Sequence, residues 1–508
     1  MPNILTPEWV KDAIFYQIFP DRFARSDRSP LNGLKFEAWD TPPSAFGFKG
    51  GDLRGIVDRL DYLKELGVTA LYLNPIFASA SNHRYHTYDY FNVDPLLGGN
   101  AALRELLDQA HARDMKVVLD GVFNHASRGL WQFNHVLETG AASPYVDWFH
   151  FNPEFLHGKR AWGAYPGPEQ IEMMKRGASS YDALGYHAWW NLPALPKFNT
   201  KTPAVRQFLF EAAEFWIKFG ADGWRLDVAS EIDDDSFWQE FRRRVKAINP
   251  QAYIVGEIWH ESQRWLQGDQ FDAVMNYLVT GALLGWLVGE RMGPEAYNAG
   301  DYRRYLRPLN AQEFAARIAY ILGLYDPQIN QAQLNLLDSH DTPRFLTLAG
   351  GDKSALTLGW FFLMTYPGAP SIYYGDEIGL EGGPDPDCRR AFPWQNQAAW
   401  DKNLLATLRE LIALRKTQPA LRRGAYLPLL AENNTLAYAR RLENDTLLCV
   451  INAAREVRDI QIPTAALGGQ NGQPKHLWGH GTMRSEAGSL SLRLGPREAG
   501  IFKIAHDR

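Results

Sequence analysis

Three acidic residues in this chain each close a short apolar run, and their chemistry is the starting point. Asp227 ends GWRLD, Glu257 follows AYIVG, and Asp341 lies in LLDSHDTPRF. Two carboxylates flanking a labile bond suit glycosidic cleavage, in which one attacks the anomeric carbon and the other protonates the leaving oxygen. A third anion stabilises an oxocarbenium-like transition state. Arg225 stands two residues before Asp227, on the same face of a strand, where its cation keeps a nucleophile ionised. Glu257 has Trp259 beside it, and an apolar neighbour plus two like charges raise the pKa of a proton donor. This assigns Asp227 as nucleophile and Glu257 as acid/base. An Arg–Asp pair capping a strand for purely structural reasons is the competing reading of Arg225 and Asp227 alone.

These residues can meet only if the strands that carry them open at one end of a common sheet. Residues 221–230, ADGWRLDVAS, read as the strand around which the others are arranged. Apolar runs at 14–19, 68–73, 116–119, 252–255, 271–274, 333–337 and 371–374 read as seven more. Helical spacing separates them at 53–66, 101–113, 202–219, 235–248, 356–365 and 404–416. Strand–helix alternation of this kind makes parallel βαβ units. The expected fold is α/β, a (β/α)8 TIM barrel, in which the carboxy ends of all strands share one face.

Between 126 and 200 the periodicity fades into a Trp-, Gly-, Pro- and His-rich stretch too long for a bare loop, so it reads as an inserted subdomain after strand three. The barrel then comprises 1–125 and 201–421. From 422 to 508 the pattern alternates with period two, as in an antiparallel β-sandwich. A net charge of −5 and the lack of a long basic run argue against a nucleic-acid partner. No apolar run is long enough to span a bilayer, and no leader is legible at the start. The only cysteines, Cys388 and Cys449, offer neither a disulfide framework nor metal-ligand spacing, which fits a reducing, cytoplasmic setting.

The segments DGVFNH, GWRLDVAS, GEIWH and LLDSHDTPRF, with the opening IFYQIFPDRF and the late IYYGDEIGL, resemble in order and spacing the signature regions of the α-amylase superfamily, glycoside hydrolase family 13. The resemblance implies a retaining mechanism on α-glucosidic bonds, with Asp227 as nucleophile, Glu257 as acid/base and Asp341 as transition-state stabiliser. It further implies that Arg225, His125 and His340 hold the glucose at the cleavage subsite and that Tyr85 stacks beneath it. Asp385 and Arg389, in PDPDCRR, resemble the pair at the next subsite. Tyr88 and Tyr90 read as core, Asp120 and Asp89 as structural pairs at the barrel mouth, and 233–235 as a solvated helix start.

LPKFN, EIWH and GGPDPDCRR are similar to the cyclomaltodextrinase, neopullulanase and maltogenic amylase group, with Phe198 where Leu is usual. That group mostly carries an extra N-terminal β-sandwich used in dimerisation. Here the barrel pattern begins at once, so any oligomer is expected to form by another route, with a more open cleft. No cofactor is expected. Asn124 matches a calcium position of the family, but Glu231 stands where its His partner belongs. A second calcium loop is only partly echoed by Asp27, Gly50 and Asp52, with Arg25 and Pro30 in place of oxygen ligands. Six or more oxygens are needed. The expected activity is hydrolysis of cyclodextrins, maltooligosaccharides and pullulan, at α-1,4 and some α-1,6 bonds, with some glucosyl transfer. The alternatives are a 4-α-glucanotransferase using the same acids and a non-catalytic binding subunit. Intact acids argue against the second.

Overall fold

The structure, a computed structural model, describes all residues except 1–3, 29–32, 161, 163–164, 294–305, 468–473, 487 and 505–508. Pro30 thus lies outside the described residues.

Eight parallel strands form the centre: β1 (Phe15–Ile18), β2 (Ala70–Leu73), β3 (Lys116–Gly121), β4 (Gly223–Leu226), β5 (Tyr253–Gly256), β6 (Ala273–Val274), β7 (Leu334–Leu336) and β8 (Ala369–Tyr373). They run β6-β5-β4-β3-β2-β1-β8-β7, and a Met275–Leu334 bridge joins the two ends into a barrel. Almost every strand residue is buried, as expected of parallel strands covered on both faces. The join between β6 and β7 is narrow. Side-chain amides supplement it: Val274 N–H donates to Gln333 Oε1 (2.8 Å), and Asn276 Nδ2 donates to Asn335 Oδ1 (2.8 Å).

Helices cover the barrel with apolar stripes. In Asp235–Ile248 the residues Phe237, Trp238, Phe241 and Val245 face inward, and Asp234 caps the first turn. Its bounds are those read from the sequence. The helix read over 53–66 is instead two, Leu53–Val57 and Leu60–Leu66. The chain bends between them, where Arg59 leaves the helical region and lays its guanidinium 4.3 Å over Trp394. The organising strand is also shorter than read. It stops at Leu226, and Val228 turns to φ 37°.

The stretch 126–200 holds short helices, among them Trp131–Thr139, Pro168–Lys175 and Ser180–Leu184. Isolated bridges tie it together and to the barrel: Phe149–Phe198, Phe151–Tyr186, Ala188–Pro196 and His125–Lys197. Beyond the barrel, a five-stranded antiparallel sheet includes β9 (Ala425–Glu432), β10 (Thr435–Leu442) and β11 (Asp445–Asn452). Alternation gives it two apolar faces. Leu436, Tyr438, Leu447, Cys449 and Ile451 join the barrel core, whereas Ala437, Ala439, Leu448 and Val450 meet a second, three-stranded sheet through Ile460, Ile462, Leu490 and Leu492. At the junction, buried Arg415 donates to the carbonyls of Met364 and Leu421, and buried Arg440 to those of Leu421 and Gly424.

Candidate active site

The barrel register creates the central contact. In the β3–β4 pair Asp120 stands opposite Arg225, and Arg225 Nη1 donates to Asp120 Oδ1 (2.9 Å) and to Asp227 Oδ1 (3.0 Å). Its Nη2 lies 3.0 Å from Glu257 Oε2. One fully buried guanidinium therefore gathers three carboxylates. Asp120 also accepts from the hydroxyls of Tyr72 (2.8 Å) and Tyr85 (2.9 Å). It lies beneath the site, as the reading of a structural pair at the barrel mouth requires.

The bend at Val228 has a use. A β-branched residue at positive φ is strained, and here the turn directs the Val228 N–H to Glu257 Oε2 (2.8 Å). Trp259 Nε1 donates to Glu257 Oε1 (2.9 Å), and the Trp259 ring stacks on Tyr277 at 3.7 Å between centroids. Asp227 is held through Oδ1 only. Its Oδ2 has no hydrogen-bond partner among the described residues. Burial pushes the Asp227 carboxyl well above the usual range. Arg225 pulls it back, while Glu257, Asp120 and Asp341 push the same way as burial.

Asp341 is set differently. Burial would raise its pKa, but His340 and Arg389 outweigh burial and hold the carboxyl below the usual range. His340 Nε2 lies 3.0 Å from Asp341 Oδ2, and Arg389 Nη2 donates to Oδ1 at 3.2 Å. Gln17 Nε2 sits 2.8 Å from His340 Nδ1. An amide N–H there makes Nδ1 the acceptor, so Nε2 carries the proton toward Asp341 and the Tyr85 hydroxyl, 2.6 Å away. Tyr85 stacks on His340 (5.5 Å, 6°) and accepts from Asn74 Nδ2 (3.1 Å). Gln17 and Asn74 went unread in the sequence. Their only signals are a polar residue inside the β1 run and the Asn-Pro at the end of β2.

These groups open into a cleft of about 550 Å³. Tyr85, Asp227, Glu257, Trp259, Asp341, Asp385 and Arg389 line it. Arg225, His125 and His340 are fully buried, and none of them is part of the cleft wall. His125 stacks under Trp189 (4.8 Å, 8°), and its Nε2 has no partner among the described residues. Burial, with His86 nearby, lowers its pKa to about 3. Arg389 Nη1 pairs with Asp385 at 2.9 Å, so one guanidinium joins Asp385 to Asp341. The wall also includes His83, His86, Trp189, Trp190 and Leu192, which the sequence pattern did not single out, and Leu195 and Ser230 from the LPKFN and GWRLDVAS segments. Tyr90 is core, as read, but Tyr88 is 37% exposed. Asp233 and Asp235 pair with Arg264 at the start of their helix.

Among the described residues, those at the family's calcium positions do not make an oxygen cage. Asn124 Oδ1 is buried without a partner among the described residues, but Glu231 is turned to Lys197, whose Nζ donates to its carbonyl (3.0 Å). In the N-terminal loop Asp52 is used by Ser26 N–H (3.0 Å) and Gly55 N–H (2.8 Å). Two protein cations occupy this loop. Arg25 donates to the Lys49 carbonyl, and the Lys49 ammonium, itself buried, donates to Thr41 O and Oγ1 (2.7 Å each) and Ala38 O (2.5 Å). Among the described residues no cluster of three or more His, Cys, Asp or Glu is arranged to hold a metal.

Comparison with known proteins adds to this geometry. Residues 17–399 match the alpha amylase catalytic domain, and residues 428–501 match the maltogenic amylase C-terminal domain. The chain is 44% identical over 467 residues to a cyclomaltodextrinase from Geobacillus thermopakistaniensis, covering 91% of this chain and 72% of the relative. It is 42% identical over 508 residues to neopullulanase 2 of Thermoactinomyces vulgaris, covering 98% and 78%. Among solved structures, the native Nostoc punctiforme debranching enzyme superposes with a TM-score of 0.86 at 48% identity, over 98% of this chain and 99% of that one.

Proposed function

Because this chain belongs to the alpha-amylase family and is a glycoside hydrolase, we propose that it hydrolyses α-glucans by a retaining double displacement, with Asp227 and Glu257 as the working pair. The observation that carries this reading is their convergence on Arg225 in one cleft, with Asp227 Oδ2 left unpartnered among the described residues. Asp227 Oδ2 attacks the anomeric carbon as Glu257 gives its proton to the leaving glycosidic oxygen. Water, deprotonated by Glu257, then releases the sugar from Asp227. The reactive form is the one in which Asp227 is ionised by its contact with Arg225 and the proton to be transferred rests on Glu257. Asp341, kept ionised by His340 and Arg389, faces the developing positive charge. Tyr85, Trp259, Asp385 and Arg389 contact the sugars from the cleft wall, with Arg225, His125 and His340 supporting them from beneath.

The substrates that best fit are cyclodextrins, maltooligosaccharides and pullulan, cut at α-1,4 and some α-1,6 bonds. The support is the naming of the relatives, which spans rings, pullulan and branches. Glucosyl transfer is the second reading. It is favoured by the apolar wall of Trp189, Trp190, Leu192 and Leu195, which retains a sugar acceptor in competition with water. No calcium is assigned, since Lys49 and Arg25 supply the positive charge in the N-terminal loop. A cytoplasmic setting fits the two buried, unpaired cysteines, and no described helix is long and apolar enough to cross a membrane.

A product time course on β-cyclodextrin, pullulan and soluble starch, with Asp227→Asn as control, tests this. Ring opening to maltose and glucose in preference to starch breakdown is expected. Longer oligosaccharides accumulating at the expense of glucose would establish the transferase instead. Full activity in Asp227→Asn would remove the site assignment.

A further inference from the structure

Trp190 is a large apolar ring held in water at the cleft wall. It is 75% exposed, and it caps a stack of three parallel rings. Buried His125 lies under Trp189 (4.8 Å, 8°), and Trp189 lies under Trp190 (4.5 Å, 12°). One face of the Trp190 ring is thus occupied by Trp189, and the exposure belongs to the rest of the ring.

The backbone beneath this ring is strained. Trp190 has φ 52° and ψ 25°, and Asn191 follows at φ 56°. Asn tolerates the left-handed region, but a bulky residue there is strained. The surrounding bonds enforce it. Trp189 N–H donates to Leu195 O (2.9 Å), Leu192 N–H to Trp189 O (2.9 Å), and Ser180 N–H to Asn191 Oδ1 (2.9 Å). A strained turn that presents an apolar ring to solvent does not gain its stability from that ring. Such strain is found where surrounding structure imposes it for function.

A glucopyranose ring has flat C–H faces, and an indole offers the matching apolar plane. We propose that Trp190 is an aromatic platform for a glucose unit of the α-glucan away from the scissile bond, and that it sets a preference for long and cyclic chains over short ones. This rests on the α-glucan reading of the same cleft. Trp190 takes no part in the contacts that hold Asp227, Glu257 or Asp341.

The test is calorimetric binding to the full chain carrying Asp227→Asn, with maltoheptaose, β-cyclodextrin and maltotriose as ligands. Adding Trp190→Ala should weaken maltoheptaose binding about tenfold, the scale of one aromatic contact. The loss should be at least fivefold larger than for maltotriose, and Trp190→Phe should restore most of it. Trp190→Gly relieves the left-handed strain, so it should lose the same affinity while melting at or above the parent temperature. Equal losses for short and long ligands would overturn the platform. So would Trp190→Gly melting clearly below the parent, which would make the ring structural. Failure of the Asp227→Asn protein to bind any of the three glucans, or turnover by it, would instead refute the α-glucan site, whatever Trp190 does.

Discussion

Arg225 Nη2 stands 3.0 Å from Glu257 Oε2 while Nη1 of the same side chain stands 3.0 Å from Asp227 Oδ1. Glu257 and Asp227, the proposed acid and nucleophile, therefore share one cation, and Asp120 is the third claimant on it. Their protonation cannot be set independently.

Replacing Asp120 tests that coupling. Its charge helps push the Asp227 carboxyl up and also competes for Arg225. Asp120→Asn removes a like charge and frees the guanidinium, and both changes favour ionised Asp227. The acid limb of the kcat/KM profile should move to lower pH. An upward move would show that Asp120 acts by some other route.

Asp227→Asn and Glu257→Gln separate the two roles. Each should reduce kcat on maltooligosaccharides by at least about a thousandfold. On α-glucosyl fluoride, whose leaving group needs no proton, Glu257→Gln should recover much of its kcat/KM, which reports the first step, and Asp227→Asn none. Equal recovery by both would reverse or merge the assignments.

His125 should limit stability in acid. Its pKa falls from an ordinary 6.5 to about 3 in the folded protein, because burial disfavours the cation. Between those values the unfolded chain binds a proton that the folded chain refuses. Stability then declines as pH drops from about 6.5 toward 3, by up to about 1.4 kcal/mol per unit. Denaturant melts at several pH values should show a shallower acid decline in His125→Gln. An unchanged slope would mean that other groups carry the effect.

Lys49 should stand in for a loop cation. A chelator is expected to leave activity and melting temperature unchanged. Lys49→Met, which abandons the carbonyls of Ala38 and Thr41, should lower the melting temperature by several degrees. A clear fall in melting temperature with chelator, reversed by calcium, would contradict this.

Much of the barrel was legible because its signals are local. Strand–helix alternation follows apolar spacing, and Asp234 with its apolar stripe delimits a helix to the residue. The kink at Arg59 was not legible, since its partner Trp394 is over three hundred residues away. The end of β4 at Leu226 was misjudged for a similar reason. Val228 suits a strand by composition, but its backbone turns to positive φ and gives its N–H to distant Glu257. The acids themselves were visible as carboxylates at strand ends. Their sharing of Arg225 was not, because it depends on the register of β3, β4 and β5. The helix Tyr277–Leu283 and the turns after it are apolar on every side and fully buried, which leaves no stripe for a periodicity to detect.

The narrow join between β6 and β7 makes the cylinder a split ring. A ring with one gap relieves imposed strain at the gap, and here the gap is closed by a bridge and two side-chain amides in place of a full ladder. Local opening draws on regions with few backbone bonds, so the amides of Val274 and Asn276 should trade hydrogen for deuterium ahead of those in β3 and β4. Met275, between them, rests its sulfur 3.5 Å from Arg225 Nε. Each parting of the ring would therefore draw Met275 away from the guanidinium, while Asp120, Asp227 and Glu257 keep their hold on it.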